Sequence, residues 1–122
     1  MTKEKNPVKT LALEESAELL RALAHPVRLA ILQELSLGAK CVTDIQDLVD
    51  GAQASVSKHL MALREIGVVD FHKDGKLRCY YITRPSLVKA LVKMLAAPHP
   101  VILRTPQSVR REGLKRTVQQ TR

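Results

Sequence analysis

The chain reads as a mainly α-helical domain with one small β-hairpin, and three observations predict it. Apolar residues make up 45% of the 122 residues, yet the only aromatics are Phe71, Tyr80 and Tyr81, so the core must be built from Leu, Val, Ile and Ala. Apolar residues recur at spacings of three and four in the segments before Gly67, the period of helices with one buried face. Beyond Gly67 the pattern changes to β-formers on either side of Asp74-Gly75, a hairpin signal. A chain of this length forms one domain. We divide it into a flexible lead over 1–10, a folded domain over 11–97 and a basic, flexible tail over 98–122.

The first helix is expected from Leu11 to Ala24, with Leu13, Ala17, Leu20, Leu23 and Ala24 as its apolar positions. Glu14, Glu15 and Glu18 lie in its early turns, where acids favour the helix dipole. His25-Pro26 breaks it, and Pro26 is placed to begin a second helix through Val27, Leu29, Ile31, Leu32 and Leu35 to about Ser36. Gly38 stops that helix, and Cys41-Val42 is too short to assign. Thr43 or Asp44 can cap a third helix carrying Ile45, Leu48 and Val49, and Gly51 breaks to a fourth.

The fourth helix has two unlike faces. Val56, Leu60, Leu63 and Ile66 form one apolar stripe, whereas Gln53, Ser55, Ser57, Lys58 and His59 near its start are short or basic hydrogen-bonding residues. Such side chains suit base edges and phosphates, and Gly67 is a fitting terminator. Two helices joined by a short Gly-containing turn, the second polar at its N-terminal end, is a helix-turn-helix layout. An ordinary surface helix would also accept Ser55 as a terminus residue and His59 as a satisfied, partly buried histidine.

The hairpin follows as Val68 to His72, a turn at Lys73-Asp74-Gly75-Lys76, and Leu77 to Ile82. Lys73, Lys76 and Arg78 are its basic groups, suited to phosphates or simply to solubility. Pro85-Ser86 starts a fifth helix, and only Lys89 and Lys93 are charged between Ser86 and Ala97. A helix apolar on nearly all sides needs two partners, its own domain and a second chain. Pro98-His99-Pro100 then ends regular structure.

Net charge is +8, from 20 basic and 12 acidic residues, which favours a polyanionic partner through counterion release. From Pro98 onward the basic residues Arg104, Arg110, Arg111, Lys115, Arg116 and Arg122 are opposed only by Glu112. No apolar run approaches membrane-spanning length and the N-terminus leads to no signal segment, so the expectation is a cytoplasmic protein without a membrane partner, its two cysteines reduced. No Ser-His-Asp grouping, Gly-rich phosphate loop or paired acids stand out, and His25, His59, His72 and His99 lack metal-site spacing. An enzyme is therefore disfavoured, and nothing calls for a cofactor in folding.

Helices, a helix-turn-helix, a hairpin and a closing helix stand in winged helix-turn-helix order. The chain resembles the ArsR/SmtB family of small dimeric transcriptional repressors. The resemblance is carried by Leu23-Ala24-His25-Pro26-Val27-Arg28-Leu29-Ala30-Ile31-Leu32, by Cys41-Val42-Thr43-Asp44-Ile45, by Ser55-Val56-Ser57-Lys58-His59-Leu60-Met61-Ala62-Leu63 and by Gly75 through Tyr80-Tyr81. It covers roughly residues 11 to 96. It implies a homodimer paired through the first and fifth helices, for which Leu13, Leu20, Leu87, Leu91, Met94 and Leu95 are the candidate contacts. It implies a double-stranded DNA operator, palindromic to match the dimer, that is released when a metal, metalloid or other chemical signal is sensed. Gln53, Ser55, Ser57 and Lys58 would face the major groove, with His59 nearer a phosphate or the helix packing.

Arsenic- and lead-responsive members carry Cys-Val-Cys at the start of the third helix, whereas this chain has Cys41-Val42-Thr43. Zinc-responsive members use Asp and His pairs on the fifth helix, and between Ile82 and Pro98 there is no Asp, Glu, His or Cys. Cys79 remains. In winged-helix domains the segment before the third helix commonly pairs with the second wing strand, which would set Cys41 beside Cys79. Directly opposed cross-strand residues have Cβ atoms about 4.5–5.5 Å apart. Two thiolates there suit arsenite, antimonite or another thiophilic ion, or can be oxidised or persulfidated; two small hydrophobes in a core are the plainer alternative. His72 or Asp70 could add a ligand. A nonspecific nucleic-acid-binding or architectural protein, and a winged-helix interaction module, are the competing functional classes.

Overall fold

The computed structural model describes the backbone of residues 11–49 and 53–120 and the side chains of 11–49 and 54–115. Six helices and three short strands follow in the order α1 (Leu13–Leu23), α2 (Pro26–Leu35), β1 (Lys40–Cys41), α3 (Val42–Val49), α4 (Gln53–Glu65), β2 (Val69–Asp74), β3 (Leu77–Ile82), α5 (Pro85–Ala96) and α6 (Pro106–Gln120). The expected lead over 1–10 and the expected break at Gly51 lie outside the described residues.

Local chemistry accounts for most boundaries. The Ala12 N–H ahead of α1 donates to Glu15 Oε1 at 3.1 Å. At the start of α2, Pro26 occupies the first turn, where its missing N–H costs nothing, and His25 caps the helix by accepting the Val27 N–H at Nδ1, 3.1 Å away. The end of α4 is a Schellman motif: Gly67 at φ 79° donates to the Arg64 carbonyl at 3.0 Å, and Val68 donates to the Leu63 carbonyl at 3.1 Å. Leu63 and Val68, the pair that motif brings together, are both fully buried.

The sheet is antiparallel with strand order β1-β3-β2, so β3 is central. Asp74 pairs with Leu77, which leaves Gly75-Lys76 as a two-residue turn with Gly75 at φ 65°. The turn centre therefore falls one residue after Asp74-Gly75, on the glycine able to take a positive φ. Helix α3 begins at Val42, directly after β1, so Thr43 and Asp44 lie in its first turn rather than ahead of it. Pairing of Lys40-Cys41 with β3 decides that start, and pairing with a strand far along the chain is invisible to local propensity.

One core joins the helices to the sheet. It comprises Leu23, Ile31, Leu32, Leu35, Ile45, Val56, Leu60, Leu63, Val68, Val69, Tyr80 and Val88. Among the described residues no helix is long and apolar enough to cross a membrane. The tail, expected to be flexible or only transiently helical, carries α6. Pro106 opens that helix, Thr105 Oγ1 accepts the Ser108 N–H at 3.2 Å, and Arg104 pairs with Glu112 at 3.0 Å. These are terminus devices that a reading of bulky core residues passes over.

Ile31 is wholly enclosed at the centre of the core. Ile31→Ala should lower the unfolding free energy by about 2–5 kcal/mol in urea titration, the usual cost of a cavity left at such a site; a loss under about 1 kcal/mol would mean that the site collapses around alanine.

Candidate nucleic-acid interface and thiol pair

The core decides which face of α4 meets solvent. Val56, Leu60 and Leu63 are fully buried and Ile66 packs against them. On the other side Ser55 and Lys58 are exposed, and Ser57 is half-buried at the edge of that face. Gln53 opens the helix, and its side chain lies outside the described ones. Met61 is 57% exposed, one turn on from Ser57 and Lys58. Sequence reasoning passed over it, although it falls outside the Val56-Leu60-Leu63 spacing. An exposed helix face with hydroxyls, a cation and a thioether has the chemistry to meet phosphates, base edges and a thymine methyl.

His59 is buried and turns inward. Its Nδ1 accepts a hydrogen bond from Arg28 Nε at 3.1 Å, and its ring lies 4.3 Å from that of His25. Burial, then the charges of His25, Arg28 and Lys58, push its pKa below the usual histidine value. Of the two alternatives for His59, the structure favours packing over phosphate contact, because the same side chain cannot fill an interior site and reach the surface. Arg28, the partner of His59, was not singled out by sequence reasoning. The available signal was a lone cation within the apolar run Val27 to Leu32, since a charge among core residues needs a partner.

The wing joins α4 at its base. Arg64 Nε donates to Asp70 Oδ1 at 2.8 Å, and the Phe71 N–H donates to the same oxygen at 2.8 Å. The Arg64 hydrogen bond, reinforced by that backbone donor, holds the Asp70 carboxyl below its ordinary pKa. The Phe71 ring has the Arg64 guanidinium 4.6 Å and the Arg78 guanidinium 4.8 Å from its centroid. Lys73 and Lys76 are exposed at the hairpin tip, whereas the head of exposed Arg78 lies over Phe71.

Cys41 and Cys79 oppose each other in the β1–β3 register with Cα atoms 3.8 Å apart, and their sulfurs form a disulfide. Tyr80 is buried in the core. Residues alternate across a strand, so Cys79 beside it projects from the opposite face, and both cysteines are half-buried. Two reduced thiols were expected from the cytoplasmic reading; the register instead brings them within bonding reach. His72 pairs with Cys79 from the other side, whereas Asp70 pairs with Tyr81 and is engaged by Arg64. Among the described residues no group of three or more His, Cys, Asp or Glu is arranged to hold a metal ion.

The candidate dimer residues divide. Leu13, Leu20, Met94 and Leu95 are exposed, Leu13 at 86%, whereas Leu87 and Leu91 are half-buried against their own core. In the tail, Arg104, Arg110, Arg111 and Lys115 are exposed; the side chains of Arg116 and Arg122 lie outside the described ones.

Closure of a 38-residue separation by a disulfide stabilises a fold by about 2–4 kcal/mol in the chain-entropy account. Air-oxidised protein should therefore show no titratable thiol before reduction and two per chain after it, with a lower urea midpoint once reduced. Two reactive thiols before reduction would contradict the bridge.

A family model described as a helix-turn-helix domain matches residues 23–70. The chain is 39% identical over 83 residues to the cadmium resistance transcriptional regulatory protein CadC of Listeria innocua, an alignment covering 68% of this chain and 60% of that protein. It thus spans about 60% of the length of the first curated relatives it matches. The solved transcriptional repressor PagR of Bacillus anthracis is 38% identical, with TM-score 0.60, 68% of this chain covered and 94% of that one. A homodimeric winged helix-turn-helix domain of Mycobacterium bovis, described as a possible ArsR-family regulator, is 26% identical with TM-score 0.62, covering 79% and 86%. A relative more than 30% identical is matched over most of its length, and the winged helix-turn-helix neighbours share the fold; the chain belongs to the ArsR/SmtB family of winged helix-turn-helix regulators.

Proposed function

We propose that the chain is a sequence-specific transcriptional repressor that binds double-stranded DNA as a homodimer and is released by a thiol-reactive effector. The carrying observation is the division of α4, whose apolar stripe is locked in the core while Ser55, Lys58 and the edge of Ser57 remain outward. In this reading α4, opening at Gln53, enters the major groove. Lys73 and Lys76 at the hairpin tip meet backbone phosphates, and Arg78 steadies the wing through Phe71. The four exposed leucine and methionine side chains on α1 and α5 supply the dimer contact, and a two-fold dimer calls for a palindromic operator.

For the effector, the paired cysteines, once a cellular thiol has reduced their bridge to two thiols, support a soft thiophilic ion such as arsenite, antimonite or cadmium, the last being the ion in the name of the Listeria relative. A second reading, release on oxidation or persulfidation, draws support from the Cys41–Cys79 bridge itself. In both, the cysteine pair links β1, which runs directly into α3, to the central wing strand. A change there biases the neighbouring α4 in proportion to the effector's differential affinity for the two states. A nonspecific architectural role would lean instead on the basic helix α6.

Footprinting separates these classes, with a short two-fold footprint expected and a smear pointing to the architectural role. Ser55→Glu or Ser57→Glu should abolish the footprint while circular dichroism stays unchanged. The Cys41→Ser/Cys79→Ser protein should bind DNA and ignore arsenite, cadmium and oxidant; release of that variant by any of them would place the sensor elsewhere. Leu95→Glu should shift sedimentation from dimer to monomer, and an unchanged dimer would remove this face of α5 from the interface.

A further inference from the structure

One guanidinium ties three helices together behind the exposed face of α4. Arg28, on α2, donates through Nη1 to the Ala22 carbonyl in the last turn of α1 at 2.8 Å and through Nε to His59 Nδ1 on α4 at 3.1 Å. The first bond has a covalent cause. The residue four places after Ala22 is Pro26, which has no N–H to continue the helix ladder. The Ala22 carbonyl is thereby left to another donor, and Arg28 supplies it. The second bond requires a lone pair on His59 Nδ1, hence a neutral imidazole.

Resting on the reading of α4 as the recognition helix, we propose that Arg28 is a positioning residue for DNA binding. Through His59 it holds α4 at a set angle to α1 and α2, and a proton on His59 opens this clamp. Ser57 and Lys58 immediately precede His59, so a shift of its ring moves the residues offered to the groove.

The electrostatics around His59 all act in one direction. The charges upon it come from His25 at the α1–α2 junction, Arg28 on α2 and Lys58 on α4. α1 contributes the Ala22 carbonyl, which engages Arg28 rather than the ring, and α3 and β2, also packed on α4, add no charge to that set among the described residues. A proton on His59 would take the Nδ1 lone pair and add a cation beside these groups. Its folded pKa lies below the ordinary 6.5. Above the unfolded value both states are neutral and the clamp's contribution is complete. As pH falls through about 6.5 the unfolded chain takes the proton first, and stability declines until the folded value is passed. Affinity for DNA then falls as the folded protein is protonated. General electrostatics predicts the opposite sign, because added positive charge strengthens phosphate contacts.

The probe is a duplex recovered by selection from a random-sequence library, with its affinity measured near pH 7.5 and near pH 5.5. The wild-type chain should weaken several-fold in acid, short of the roughly tenfold that one group titrating at the ordinary 6.5 would give across those two pH units. His59→Asn retains an acceptor for Arg28 but cannot titrate, so its acid loss should vanish or reverse. Arg28→Lys keeps the charge but cannot span both partners; it should bind more weakly near pH 7.5 and show no further acid loss. Acid-strengthened binding by the wild type, an acid loss retained in His59→Asn, or wild-type affinity in Arg28→Lys would each overturn the clamp. Nitrogen-15 spectra give a readout without DNA: His59 Nδ1 should be unprotonated at neutral pH and titrate below 6.5, and a protonated Nδ1 would overturn the clamp by itself. Failure to recover any duplex would overturn the recognition reading beneath it while the spectra still report on the hydrogen bond.

Discussion

Burial of the α4 stripe is the constraint on which the rest of the structure depends. Val56, Leu60 and Leu63 have no solvent-exposed surface, and each such side chain contributes about 1.5–3 kcal/mol relative to exposure. Rotating α4 to bury its polar edge would forfeit that contribution and strand Lys58 and the serine hydroxyls away from water. The outward face is thus set by what must be inward. The inward side is not uniformly apolar: His59 sits beside Leu60, and it is tolerated because Arg28 satisfies its Nδ1.

The hairpin depends on the same helix. The Schellman motif at Gly67 turns the chain out of α4 and delivers Val68 and Val69 to the core. Arg64 then reaches Asp70 and the Phe71 ring. The wing is consequently an extension of α4, with a charge-assisted hydrogen bond and two guanidinium groups over the Phe71 ring at the joint. The Arg64–Asp70 pair is roughly half exposed and adds little stability, so its consequence is geometric. On its other side β3 pairs with β1, and the Cys41–Cys79 bridge closes that edge. Cys41 on β1 and Cys79 on the central strand β3 thereby tie the segment that leads into α3 to the wing.

Much of this was legible beforehand because the signals were local. Helix periodicity, Pro26 and Pro85 at first turns, Gly67 at the end of α4 and Gly75 in the hairpin each state a backbone requirement within a few residues. The opposition of Cys41 and Cys79 was also anticipated, by way of the family resemblance rather than from spacing. Less legible were α3 starting at Val42, α6 within the basic tail, and the hydrogen bond between Arg28 and His59. The Arg28–His59 contact spans 31 positions, and the β1–β3 pairing spans 38 at the cysteines; neither leaves a trace in a window of one helical turn.

The amino-acid sequence by itself determined which segments are helix and hairpin, which face of α4 is apolar and which chemistry is available: two thiols, a basic surplus and no zinc-ligand pair on α5. These follow from side-chain period and backbone stereochemistry, which act over neighbouring residues. Tertiary structure alone decided that His59 points inward to Arg28, that the head of Arg78 rests on Phe71, that Asp70 serves Arg64 rather than the thiols, and that His72 stands opposite Cys79. Each of these is a choice among partners brought together by packing. The choice is made by the cost of leaving a buried donor, acceptor or charge unmatched, which is felt only once distant elements meet.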